Sequence, residues 1–332
     1  MSTPNEHPFA HYIRILGKGK NGSRDLTEKE AQHSMSMVLR GEVEEIQLGA
    51  FLIVMRVKEE VPEEIAGFVR ACQSAMDVPK CSVDLDWSSY AGKRRYLPWY
   101  ILSALMLAEN GISTFMHGAS GHTAGRIYTQ EVLPLLGVNP CASLHDAAES
   151  LGKTNFAFVQ LENILPKLED IIQLRPLIGL RSPVHSIARQ INPFNAPYIM
   201  QGIFHPGYRQ VHQESALLLG QNNMCVIKGE GGEIERNPDV ECFAQSVIDG
   251  ELVDETWPPL FKRRHVKDDE MDIHRLPKIW SGEETDEHGE MSIVATAALA
   301  LKLMKKADTQ ESALAMAQSM WDGRDKSRHA GS

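Results

Sequence analysis

Residues 84–118, DLDWSSYAGKRRYLPWYILSALMLAENGISTFMHG, decide how this chain is read. They predict a strand, a loop, a helix over 97–110 that Gly111 ends, and a second strand. The loop falls at the carboxyl end of a strand, where α/β sheets bind ligands. A phosphate cradle there wants several glycines, because only glycine lets backbone N–H groups crowd an anion with no Cβ in the way. Here the loop is Ser88-Ser89-Tyr90-Ala91-Gly92-Lys93-Arg94-Arg95, with one glycine and three consecutive cations. The scaffold looks like that of a phosphate-handling protein, with the loop chemistry rewritten.

Working outward, the chain divides in two. The front is helical: Thr27 opens a helix with Glu30 completing a capping box, apolar positions recur at 31, 35, 38 and 39, and Gly41 stops it. A very apolar helix follows over 47–57, and Pro62 begins a third carrying Ile65, Phe68, Val69 and Cys72 on one face. Three short helices cannot bury their faces alone, so this unit packs on the rest of the chain or on a second copy. From Cys81 the pattern changes to short apolar strands at 81–85, 112–116, 156–160, 198–204 and 223–228, separated by helices such as 125–136. That alternation predicts a mostly parallel sheet flanked by helices. Residues 291–321 read as two closing helices.

The composition is that of a globular protein: 332 residues, 42% hydrophobic and 23% charged. The five cysteines show no C-x-x-C spacing, which argues against a disulfide framework or zinc site. No apolar run reaches a membrane span and the first ten residues lack leader features, so a cytoplasmic address is expected by elimination. A net charge of −10 argues against a broadly basic surface. It leaves room for a local basic groove, since screening confines each charge to ~8 Å at physiological salt.

The order strand, loop, helix, strand, His-Gly, with Leu-Gly-Val at 136–138, resembles the anthranilate phosphoribosyltransferase family of the glycosyl transferase family 3 fold. That family places GTGGD where SSYAG (88–92) stands and KHGN where Met116-His117-Gly118-Ala119 stands. The likeness continues through 26–68, RPLIGLRSPVHSIARQINP (175–193), GIFHP (202–206) and KGEGGEIE (228–235). It implies an α/β, nucleoside phosphorylase/phosphoribosyltransferase-like fold. A small helical domain at 10–76, joined by helices from 163–190, would precede a large domain at 78–325. The opening Gly17-Lys18-Gly19-Lys20-Asn21, with Arg24-Asp25-Leu26 and the SYAG loop, resembles the YbiB-type branch of the family. Characterised proteins of that branch are dimeric and bind nucleic acid through a basic groove, which implies a homodimer through the helical domain here.

The resemblance also assigns candidate residues. GTGGD binds the diphosphate of phosphoribosyl pyrophosphate, so Ser88, Ser89, Gly92 and the Lys93-Arg94-Arg95 run are phosphate or polyanion candidates, with Lys18, Lys20 and Arg24 from the opening. His117, Gly118, Arg175 and Arg181 hold acceptor-pocket positions, although Met116 and Ala119 replace the family's Lys and Asn. Arg126 and Arg189 are further cations near these segments. An Asp-Glu pair binds Mg²⁺ in the family. Here Ile234-Glu235 stands in its place and leaves Glu235 as a weak candidate ligand.

Two functions follow as expectations. The first is a protein that keeps the transferase fold, has a degenerate phosphoribosyl pyrophosphate site, and binds nucleic acid or another polyanion in a basic groove. The alternative is an active transferase that moves phosphoribose to anthranilate (tryptophan biosynthesis) or another acceptor, with Mg²⁺ and phosphoribosyl pyrophosphate.

Overall fold

The computed structural model describes residues 6–19, 21–267 and 270–331. Four helices come first: α1 (Ala10–Gly17), α2 (Glu28–Leu39), α3 (Glu45–Lys58) and α4 (Pro62–Ala75). Strands and helices then alternate through β1 (Leu85–Ser89), α5 (Tyr100–Glu109), β2 (Thr114–Gly118), α6 (Thr129–Val132), α7 (Leu144–Thr154) and β3 (Phe156–Gln160). Three helices, α8 (Pro166–Gln173), α9 (Arg175–Ile178) and α10 (Val184–Ala188), lead to β4 (Tyr198–Ile203), α11 (Tyr208–Leu218) and β5 (Asn223–Lys228). A hairpin, β6 (Cys242–Ile248) and β7 (Glu251–Trp257), and three helices, α12 (Arg275–Ser281), α13 (Glu287–Leu303) and α14 (Gln310–Asp322), complete it.

The seven strands form one sheet in the order β3-β2-β1-β4-β5-β6-β7. β3 to β5 are parallel, and β6 and β7 add antiparallel edges. The strand order reverses between β1 and β4, so the loops after β1, β4 and β5 face one crevice.

Alternation along the strands divides the core between the two faces. Leu85, Trp87, Met116, Phe156 and Phe158 join α5, α13 and α14 in one cluster. Phe115, Ala157 and Val159 turn the other way and join α1 to α4, α8 and α10 in a second. The front helices thus bury their apolar faces against the sheet itself. α2 and α4 cross at Gly67, where an added Cβ would lie 2.2 Å from the Glu28 carbonyl oxygen. Thr27 caps α2 and forms the capping box with Glu30. No helix among the described residues is long and apolar enough to cross a membrane.

Two sequence expectations need correction. β1 begins four residues after the expected 81, so Ser88 and Ser89 are strand rather than loop. The polar run Asp86, Ser88, Ser89 masks it, because those side chains are buried instead of facing water. The β6–β7 hairpin is an addition to the expected elements. Its Asp249-Gly250 turn has φ of 53° and 81°, the left-handed pair that a two-residue hairpin needs.

Candidate functional site: a closed anion cradle beside a basic groove

The 228–235 segment, KGEGGEIE, turns sharply after β5 and brings three carboxylates to the loop after β1. Glu233 is fully buried, and one of its oxygens accepts from the Ala91 and Gly92 N–H groups, at 2.6 Å each. Glu230 accepts from the Arg94 N–H at 3.3 Å and lies 3.0 Å from Lys93 Nζ. Glu235 pairs with Lys93 and accepts from the Tyr100 N–H, at the first residue of α5, at 2.9 Å. Backbone donors and a helix N-terminus that suit an anion are therefore held by the chain's own carboxylates.

This geometry splits the KRR run. Lys93 is 1% exposed, fixed by a β-bridge to Ile127 that turns its side chain inward. Burial alone would depress its ammonium, but Glu235 and Glu230 outweigh that and raise its pKa. Lys93 is thus a buried counter-ion and not part of an open cationic surface, whereas Arg94 and Arg95 keep contact with solvent. The serines also lie inside. Ser89 Oγ bonds Tyr100 Oη at 3.1 Å and Thr129 Oγ1 at 2.7 Å, and Ser88 Oγ is buried without a partner among the described residues. Gly92 takes φ of 67° and packs against the Ile127 carbonyl.

His117 sits in the core between Tyr90 Oη, at 2.7 Å from Nδ1, and Asp86, at 3.2 Å from Nε2. Tyr90, standing where the family has a glycine, fills that space with its own ring. Gly118 lets β2 approach β1, since a Cβ there would lie 2.0 Å from the Ser89 carbonyl oxygen.

Arginines gather beside the closed loop. Arg126 donates to the Ala91 carbonyl at 2.6 Å, Arg189 is buried and donates to the Gly202 carbonyl at 2.9 Å, and Arg175 bonds the Thr123 hydroxyl. Burial first, and then Arg126, Arg189 and Arg175, push the Arg181 guanidinium down to about 10. His122 is likewise lowered to about 4, first by burial, so it is neutral near pH 7.

Glu235 does not fit a magnesium site. Its oxygens are engaged by Lys93 and Tyr100, and no group of three or more His, Cys, Asp or Glu among the described residues could hold a metal. Of the opening cations, Lys18 is exposed at the end of α1, and Arg24 spends its fork on Glu30, at 2.7 Å for both nitrogens. Neither lines the groove described next. Lys20 lies outside the described residues.

That groove, of about 930 Å³, opens outside the closed cradle. Arg94, Arg95, Arg209, Lys228, Arg264 and Lys267 line it with the rings of Tyr96, Phe204, Phe243 and His265, and with Glu230, Glu235, Asp239 and Glu241. Arg209 stacks over Phe243 at 4.6 Å. His265 bonds Asp239 at 2.7 Å and lies 3.3 Å from Glu287, which ties the 261–267 strap to the body. This wall is absent from the sequence expectations. Its signal, the basic run KRRHVK at 262–267, is visible in the chain, but only folding brings it opposite Arg94.

Comparison with known proteins places the fold. The helical bundle domain of a glycosyl transferase family matches residues 10–76. Anthranilate phosphoribosyltransferase of Saccharolobus solfataricus is 30% identical over 236 residues, covering 70% of this chain and 67% of that enzyme. The chain belongs to the anthranilate phosphoribosyltransferase family. The uncharacterized protein YbiB of Escherichia coli is 28% identical over 73% of this chain and 77% of its own. The anthranilate phosphoribosyltransferase of Thermus thermophilus shares the family fold with a TM-score of 0.80 over 95% of this chain and 94% of its own, at 22% identity. That of Saccharomyces cerevisiae, solved in complex with PRPP and Mg, gives 0.78 over 97% and 95%, at 13% identity.

Proposed function

We propose that this member of the family holds its β1–α5 loop closed to diphosphate in this conformation and binds single-stranded nucleic acid, or a similar polyanion, in the adjacent groove. One observation carries the reading: six cations and four aromatic rings line a single groove, next to a cradle whose amides are already taken by Glu233. Clustered Lys and Arg supply the phosphate contacts that dominate such affinity, and rings give bases a stacking surface. Titration with a fluorescent single-stranded oligonucleotide at 50 and 200 mM salt tests it. Steeply salt-dependent binding is expected, and absence of binding at low salt ends the reading.

The Saccharolobus likeness favours a second reading, retained transfer of phosphoribose to anthranilate. Its test is direct: incubation with phosphoribosyl pyrophosphate, Mg²⁺ and anthranilate should leave anthranilate fluorescence unchanged if the first reading holds. We also propose self-association through the helical domain. In support, Ile46 and Val57 are 83% and 76% exposed, and their spacing of eleven puts them on one face of α3. An I46E/V57E variant is expected to sediment as a monomer.

A further inference from the structure

We propose that Glu233 is an internal anion gate, holding the Ala91–Gly92 amide pair shut against small phosphates until the 229–233 turn moves. The inference goes beyond the polyanion reading and does not depend on it. A buried carboxylate is costly unless paired and fully hydrogen-bonded. Glu233 meets that demand only in part. One oxygen takes two backbone donors, and the other is buried with no hydrogen-bond partner among the described residues. Its neighbouring guanidiniums spend their bonds elsewhere, Arg126 on the Ala91 carbonyl and Arg189 on those of Gly202 and His185. Arg126 Nε is itself buried without a hydrogen-bond partner among the described residues. Glu233 is therefore only half-satisfied in the cradle, and the Ala91 and Gly92 amides, with the unbonded Arg126 Nε, are donors that a phosphate would take in its place.

The gate is built on glycines. Gly231 and Gly232 take φ of 70° and 108°, and a Cβ on Gly229 would lie 1.6 Å from the Glu233 carbonyl oxygen. No other residue closes this turn without strain, so the segment is shaped to deliver the carboxylate. Glu233 is also the residue that decides which anions the cradle admits. With it in place, Arg94 and Arg95 still face the groove while the amides behind them are occupied.

The test uses the full chain and inorganic pyrophosphate as probe, followed by calorimetry in low salt. E233Q and E233A are compared with wild type and with E149Q, which makes the same charge change on the exposed face of α7, outside the groove lining. The expected result is at least about tenfold tighter pyrophosphate binding by both Glu233 variants, or roughly 1.4 kcal/mol, and little change for E149Q. Folded Glu233 variants that bind no tighter than E149Q overturn the gate. If neither variant folds, hydrogen exchange on wild type at high pyrophosphate replaces them. The gate requires faster exchange at 228–236 with slower exchange at 88–97, and no change in either segment overturns it. Oligonucleotide titration of the same samples keeps the two proposals apart, because wild type that fails to bind DNA removes the polyanion reading without touching the gate.

Discussion

Lys93 shows what burial does to a charged residue. Its ammonium lies between Glu235 and Glu230 with almost no exposure, so each charge is tolerated only with its partner present. Removing the cation strands two carboxylates, and K93M is expected to cost about 3–5 kcal/mol in urea unfolding. K93M/E235L, which removes both charges, should recover part of that deficit. His265 behaves in the opposite way, since it is exposed enough to titrate. The Asp239 hydrogen bond first, then Glu287, raises its pKa above the ordinary imidazole value. A raised folded pKa means that the contribution is complete below about pH 6.5, the unfolded value, and fades as pH climbs through the folded one. The protection of the 261–267 strap amides, taken relative to their intrinsic exchange rate at each pH, should therefore fall as pH rises from 6 to 8.5, and H265A should remove that fall in protection.

At the scale of elements, local chemistry sets the ends and close approach sets the crossings. T27A removes the side-chain cap of α2 and should lower stability by about 1 kcal/mol in thermal unfolding. G67A is predicted to be worse, at about 1–3 kcal/mol, because the new Cβ meets backbone atoms that cannot move without separating α2 from α4. The capping box is legible in the sequence because both partners lie within one turn. Strand β1 is less so: Asp86, Ser88 and Ser89 look like loop residues until His117, Tyr100 and Thr129 appear beside them. The β6–β7 hairpin has a local signal, Asp249-Gly250 between two paired strands, but the polar alternation of β7 hides it among loop residues.

Over the whole molecule, a chain of net charge −10 gathers six cations against four carboxylates in one groove. Removing one exposed cation that binds phosphate should lower the slope of log affinity against log salt by about one. R94A and R95A should each flatten that slope while leaving the unfolding midpoint unchanged, and R264A should do the same from the opposite wall. The sequence by itself determined the family, the helical front and the parallel sheet, because periodicity and motif order are local signals along the chain. It also marked the 88–95 loop as altered. Only the tertiary structure decided what the alteration does. Glu230, Glu233 and Glu235 lie some 140 residues from that loop, and an interaction across such a distance leaves no spacing to read. Folding converts one lysine into a buried counter-ion, leaves two arginines facing the groove, and fills the cradle with a carboxylate that the sequence showed only as one acid among many.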